Sequence, residues 1–344
     1  MEDEDDNVIA ALGHRDRVSE IDLTCRFLEE RFATAMGGSF PALTHLRLFS
    51  LGRASRADLQ TLLLHFRHYP NCCCRPVTLS HSNFGEYRSP RAMATCLAAL
   101  PNLEHLRIEY ESSRSRLSQT NPPLLTRAVL PTLTSFQFGG ASMYLDDFIA
   151  RIDAPALQTL LIDFTGPIFH IPQLYRFISR TERPNLPTRA MVNFEVLTYI
   201  RLSPSDGFNL TISCGEGVSS MALVCQELSP FLSHVERLEL YGRYHSRHPN
   251  SMNLDLPQWP ELFQPFIAVQ SLCVSTQLVP LIAPALLELT VARVIEVFPE
   301  LRILFLGSYQ PYSSAQEAIE PFIVVCQRSG RPIVVQRWSS DNND

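Results

Sequence analysis

The chain has 344 residues, 45% of them apolar and 19% charged, which is the balance of an ordinary folded protein and excludes the disordered class. Net charge is −6, and five of the first six residues are acids, so a duplex-binding surface, which needs a basic excess, is disfavoured. No apolar stretch reaches the ~18–20 uncharged residues of a membrane span.

Residues 1–17 read as an acidic N-terminal segment leading into a short helix, Asn7 to His14. At Val18 a phrase begins, apolar-x-x-apolar-x-apolar, that recurs along the chain. Its copies are Val18/Ile21/Leu23, Leu43/Leu46/Leu48, Leu103/Leu106/Ile108, Leu133/Phe136/Phe138 and Leu157/Leu160/Ile162. They continue with Leu197/Ile200/Leu202, Val235/Leu238/Leu240, Val269/Leu272/Val274 and Leu301/Leu304/Leu306. Pro41, Pro101, Pro131, Pro155 and Pro299 stand two residues ahead of their copies. The final alternation suits a short strand, and the apolar residue three positions earlier turns the chain into it. This is the core of a leucine-rich repeat, a unit that buries its apolar face only against a neighbouring copy.

Helical spacing fills the intervals. Phe27 to Met36 ends at Gly37-Gly38, a natural stop. Further helices are predicted over Ser89–Leu100, Tyr144–Ile152, Pro172–Arg180, Ser219–Leu232, Leu278–Phe298 and Ala315–Gly330, and Ile333–Val335 forms a last strand. Residues 111–127 and 242–259 are polar loops. Strand, return helix and next strand is a rhythm that makes a parallel sheet. The predicted fold class is α/β, an irregular leucine-rich repeat solenoid with a curved parallel sheet on the concave side and helices on the convex side. One repeat domain covers 18–338, and a polar tail covers 339–344.

The copies are unevenly spaced. Between Leu43 and Leu103 the rhythm fails, leaving 52–88 irregular. Leu59/Leu62/Leu64 supplies one candidate unit there and Val77/Leu79 a weaker one, while RHYPNCCCRP (67–76) fits no period. The Asn or Cys that the regular motif places after its third Leu is absent, so no asparagine ladder ties the turns.

NVIAALGHRDRVSEIDL (7–23), FPALTHLRL (40–48), SPRAMATCLAALPNLEHLRIEYES (89–112), YLDDFIARIDAPALQTL (144–160), FHIPQLYRFISRT (169–181) and EAIEPFIVVCQRSGRPIVVQRW (317–338) resemble fungal F-box-like leucine-rich repeat proteins. The resemblance implies a repeat domain that recruits a protein, behind an F-box that docks a cullin-type ubiquitin ligase. Met1 stands seventeen residues ahead of the first copy, too short a space for an F-box. The expectation is therefore the substrate-recognition part alone. Residues 52–88 depart from the family pattern, through either a gene-assembly error or genuine divergence.

The chain is lysine-free, all 29 Lys-or-Arg positions being arginine. A GC-rich coding sequence would produce this, as would selection against ubiquitin acceptor sites. Nine cysteines, an odd number that includes the triplet Cys72–Cys74, suit no disulfide framework. With no secretory signal, reduced thiols in the cytoplasm or nucleus are expected.

No catalytic constellation stands out. GxxxxGK[ST], GxSxG and HExxH are missing, and Gly215-Glu-Gly217 lacks a third glycine. Asp146-Asp147 at a helix start complements the helix dipole. The reading is a non-enzymatic interaction module without cofactor or metal, monomeric, binding neither nucleic acid nor membrane. One alternative is a metal-binding protein or enzyme centred on His65, His68 and Cys72–Cys74, which gather potential zinc ligands but lack a distant second pair. Another is a truncated or wrongly assembled product without independent function.

In each copy the residues flanking the central strand position point away from the core. A binding face of His45, Arg47, His105, Arg107, Tyr199, Arg201, Arg237 and Glu239 is therefore expected on the concave sheet. Arg47, Arg107, Arg201 and Arg237 would form a basic stripe for an acidic or phosphorylated peptide, because guanidinium groups bind carboxylates bidentately and are enriched at interface hot spots. A one-residue slip of register would bury them instead.

Overall fold

Alternating apolar residues make a strand with one greasy face, and neighbouring copies then stack those faces into a shared core. The computed structural model describes residues 7, 10–11, 13–14, 16–18, 20–25, 45–50, 76–81, 90–98, 103–110 and 127–338, the last stretch without 167, 169, 183–185, 195–196, 204–206, 216–217, 243–258, 294–297 and 308–311. Two units divide the chain: residues 1–166 with 171–184, and residues 167–170 with 185–344.

In the first unit six strands run parallel in the order β1 (Glu20–Cys25), β2 (His45–Ser50), β3 (Pro76–His81), β4 (His105–Tyr110), β6 (Ser135–Gly140) and β8 (Thr159–Phe164). β1, β2, β4, β6 and β8 each begin two residues after the first apolar residue of their phrase. Val77/Leu79, the weaker candidate in the irregular stretch, is β3. Two-residue strands β5 (Ala128–Val129) and β7 (Ile152–Asp153) pair separately. Helices α1 (Pro90–Leu97), α2 (Ser142–Ile149) and α3 (Pro172–Ile178) lie side by side. The predicted helix 144–152 is cut short because Ile152 enters β7.

The phrase is legible in the packing. Leu103, Leu106, Ile108, Leu133, Phe136, Phe138, Leu157, Leu160 and Ile162 are all buried. Phe136 joins sheet to helices, its ring 5.8 Å from that of Phe148 on α2 and 6.5 Å from Phe177 on α3.

In the second unit the order is β11 (Asn209–Cys214), β10 (Thr198–Ser203), β9 (Arg189–Phe194), β12 (Arg237–Tyr241), β13 (Ser271–Val274), β14 (Ile303–Gly307) and β15 (Val334–Trp338). From β9 onward through β12 to β15 the pairing is parallel, but β10 is antiparallel to both β9 and β11. This corrects the expectation of a parallel sheet throughout. The cause is local: β9, β10 and β11 follow one another through short connections with no return helix, so the chain must reverse at each. Leu197 shows the consequence. It opens its phrase like the others, yet it is 58% exposed, because it lies in a chain reversal rather than on the way back from a helix.

Helices α4 (Val218–Glu227), α5 (Ser229–Leu232), α6 (Trp259–Phe263), α7 (Val279–Arg293) and α8 (Tyr312–Arg328) line up, with α4 against α6, α6 against α7 and α7 against α8. Trp259, fully buried, sits between Phe194 and Phe263 at ring distances of 5.2 and 5.6 Å. Among the described residues no helix is long and apolar enough to cross a membrane.

The repeat is also visible in the backbone. Ahead of β6, β8, β12, β13 and β14, two consecutive N–H groups donate to one carbonyl of the preceding unit. The pairs are Thr134 and Ser135 to Glu104, Gln158 and Thr159 to Thr134, Glu236 and Arg237 to Thr188, Gln270 and Ser271 to Glu236, and Arg302 and Ile303 to Gln270. The first apolar residue of the phrase closes the turn before its strand by donating to the carbonyl three residues back, as in Leu133 to Leu130, Leu157 to Ala154, Val235 to Leu232 and Leu301 to Phe298. One device, used repeatedly, sets the pitch of both sheets.

Candidate functional site: the open faces of the two sheets

Strand residues alternate between a buried side and a side left half-exposed, as on β6, β8, β9 and β11. One face of each sheet is therefore core and the other is open. Register places the open-face residues in rows across the strands.

In the first unit one row runs Asp22, Arg47, Thr78, Arg107, Gln137, Leu161, and the next Thr24, Phe49, Ser80, Glu109, Gly139, Asp163. Extending the Leu46–Val77 register back by one residue sets His45 opposite Pro76, which pairs with His105. His105 and Arg107 are exposed. Arg107 Nε donates to Glu109 Oε1 at 2.6 Å, and its Nη2 meets the same oxygen, so the cation is answered within its own strand. Asp163 is raised above the usual carboxylate range, first by desolvation and then by Glu109. The two acids flank Gly139, where a Cβ would stand 3.5 Å from Glu109 Cγ. This face is mixed in charge.

The second unit gathers more. One row holds Ser203, Arg189, Arg237, Ser271, Ile303 and Val334. The next holds Thr211, Arg201, Met191, Glu239, Cys273, Phe305 and Gln336. A third carries Ser213, Tyr199, Asn193 and Tyr241, with Gly307 and Trp338 beyond. At its centre the alternation breaks: Glu239 and Cys273 are fully buried although they stand on the open face. Expected as a surface contact, Glu239 is instead the floor of the cluster. Its carboxylate takes Arg189 Nη2 at 2.8 and 3.0 Å, Arg237 Nε at 2.8 Å and the Tyr241 hydroxyl at 3.1 Å. Two guanidinium groups directly opposite on adjacent strands repel, and the shared carboxylate holds them together.

The surroundings follow from this. Hydrogen bonding to Glu239 raises the Arg189 pKa. Burial, with Glu239 second, raises that of Tyr241. Burial pushes the Cys273 thiol up to about 11 against a pull from Arg237. A thiol so protonated is a poor nucleophile. Outward of this floor Arg237 lies 5.8 Å over the Phe305 ring and Arg201 5.8 Å over Tyr199. Asn193 Nδ2 donates to the Tyr199 hydroxyl at 3.3 Å. Tyr241 and Trp338 meet edge-on at 5.1 Å. The indole reaches over Gly307, where a Cβ would stand 3.5 Å from Trp338 Cε3.

The sequence-predicted residues thus fall into three groups: His105 with Arg107, Tyr199 with Arg201, and Arg237 with Glu239. His45 and Arg47 hold register positions on β2. Arg189, Asn193, Tyr241 and Trp338 were missed. Arg189 and Asn193 alternate with Ala190, Val192 and Phe194, a period-two signal that was present but lacked the leucine phrase. His65, His68 and Cys72–Cys74 lie outside the described residues. Among the described residues no three of His, Cys, Asp and Glu gather as a metal site requires.

No family model and no curated protein matches the chain. Among solved structures it is similar to the leucine-rich repeat-containing protein LegL7 from Legionella pneumophila, at 18% identity over 92% of each chain with a TM-score of 0.34. The strands, rows and side chains described above are what bear on function.

Proposed function

We propose that this chain is a leucine-rich repeat module that binds another protein, without catalysis, on the open face of the second unit. One observation carries the reading. A sheet with one covered face presents three arginines, Arg189, Arg201 and Arg237, against one buried carboxylate, beside Tyr199, Tyr241, Phe305 and Trp338. Trp, Tyr and Arg are the residues that dominate binding energy at protein interfaces. The excess of cations favours an acidic or phosphorylated segment of the partner. The resemblance of 40–48 and 89–112 to fungal F-box-like proteins adds the finer reading that the captured protein is a substrate for ubiquitin transfer. The buried thiols of Cys214, Cys225, Cys273 and Cys326, which form no disulfide, suit the reducing cytoplasm or nucleus.

The test is capture of a fluorescent acidic peptide by the wild-type chain and by the Arg201→Ala variant. Arg201 is exposed, so the melting temperature should stay within the equivalent of ~0.5 kcal/mol. Binding should weaken and lose part of its salt dependence. Unfolding of the variant would make Arg201 structural, and unchanged binding would remove it from the site.

A further inference from the structure

β15 is the last strand of its sheet, and among the described residues none pairs with its far edge. Every other strand of the unit buries at least one side chain outright. On β15 (VVQRW), Val334, Gln336 and Arg337 are exposed and Val335 and Trp338 only half-covered. The Val334 N–H donates to the Arg302 carbonyl at 2.9 Å. In a parallel ladder that bond fixes the alternation. Val334, Gln336 and Trp338 turn their main-chain groups to β14, and Val335 and Arg337 turn theirs outward. An edge with open donors and acceptors, no proline and a single charge along its length is a template for another strand.

We propose that a second copy of this chain supplies that strand, the two β15 edges pairing antiparallel about a two-fold axis at Gln336. The outward groups restrict the register. A centre on Arg337 sets two guanidinium groups face to face, and like charges directly opposite repel. A centre on Val335 carries Trp338 past the end of the other strand. With the centre on Gln336, Val335 exchanges main-chain bonds with Arg337 of the second copy, and Arg337 with Val335. Val334 then stands opposite Trp338 in both directions, an aromatic and β-branched cross-strand pair. The whole strand is used and no like charges meet. The helix layer agrees. α8, the last of its row, carries exposed Glu317 and Glu320 upstream of exposed Arg328. The same axis runs the two α8 helices antiparallel, which orders acid and base oppositely along them. Five residues on each side make a small interface, so the dimer forms and parts with concentration. The sequence alone suggested a monomer. The pairing uses the strand edge and stands apart from the peptide-binding reading of the open face.

Sedimentation velocity of the full chain from about 5 to about 200 µM should show a coefficient that rises with concentration. Gln336→Cys puts two thiols opposite each other at a non-hydrogen-bonded pair, where Cα atoms stand about 4.5 Å apart, within disulfide reach. Mild oxidation should give a reducible dimer well above the wild-type background, and Val334→Cys, displaced from the axis, should not. Gln336→Lys and Gln336→Glu, at an exposed site, should each weaken the dimer several-fold, and an equimolar mixture of the two should restore it. Val335→Pro removes an outward N–H without touching the β14 ladder and should leave a monomer. Thermal melts report whether that variant folds; the Gln336 variants decide the matter if it does not. A chain that stays monomeric throughout, a dimer indifferent to Gln336→Lys, or crosslinking no better at Gln336→Cys than at Val334→Cys would overturn the proposal. Peptide capture and its loss in Arg201→Ala would stand under any of these results.

Discussion

Removing the Glu239 carboxylate is the sharpest perturbation of the cluster. Glu239→Ala removes the carboxylate that Arg189 and Arg237 share while they face each other in register on β9 and β12, and strips the Tyr241 hydroxyl of its acceptor. Breaking a fully buried pair by removing one partner costs ~3–5 kcal/mol. Here the carboxylate is fully buried, but the two arginine side chains are 41% and 32% exposed and can turn to water. The discounted cost is about 2–3 kcal/mol. For a unit of this size that lowers the melting temperature by ~5–10 °C, measurable by circular dichroism. In an Arg189→Ala/Arg237→Ala background the same substitution should cost at least ~1 kcal/mol less, because the groups act together. A loss below ~0.5 kcal/mol, ordinary for a surface change, would refute the role of Glu239 as anchor.

Phe136→Ala empties the space between β6, α2 and α3, and should cost ~3–5 kcal/mol in urea unfolding; a loss near zero would mean that Phe148 and Phe177 do not pack on it. Gly307→Ala adds a Cβ at 3.4 Å from Ser275 Cα and 3.5 Å from Trp338 Cε3, which is ordinary contact, whereas Gly307→Val should displace the indole and change tryptophan fluorescence. Burial raises the thiol pKa values of Cys225 and Cys273, the latter to about 11, above the ~8.5 of an unfolded thiol. Folding therefore holds these protons more tightly than the unfolded chain does. Their contribution is fully present below about pH 8.5 and is lost as pH rises toward 11, so stability should fall across that window, and alkylation of these thiols at pH 8 should wait on unfolding.

Much of the fold was legible because the phrase states both period and phase. Leu106 and Ile108, or Leu304 and Leu306, announce which face is core, and β1, β2, β4, β6, β8, β12, β13 and β14 begin two residues after the leading apolar residue. The antiparallel excursion was not legible in the same way. β9 and β11 alternate through Ala190, Val192 and Phe194, and through Leu210 and Ile212, but neither carries the turn-closing residue that marks a return from a helix. Leu197 has the phrase and not the context. At the candidate site the sequence expected Arg237 and Glu239 as exposed contacts, and the structure has Glu239 fully buried. The sequence could not show that the arms of Arg189 and Arg237 fold over Glu239 and bury it, since that depends on β9 lying beside β12, a pairing between distant segments. Trp338 joins Tyr241 for a similar reason: Gly307 leaves the floor between them low enough for the indole to cross.

The central claim is that a protein segment is bound on the open face of the second unit. Photo-crosslinking tests it most directly, with a short acidic peptide carrying a benzophenone at its centre, followed by mass-spectrometric mapping of the attached residues. Adducts are predicted on open-face residues of β9, β12, β13, β14 and β15, among them Met191, Phe305 and Val334, and competition by unlabelled peptide should remove them. Adducts confined to α4–α8, or unaffected by competitor, would contradict the account.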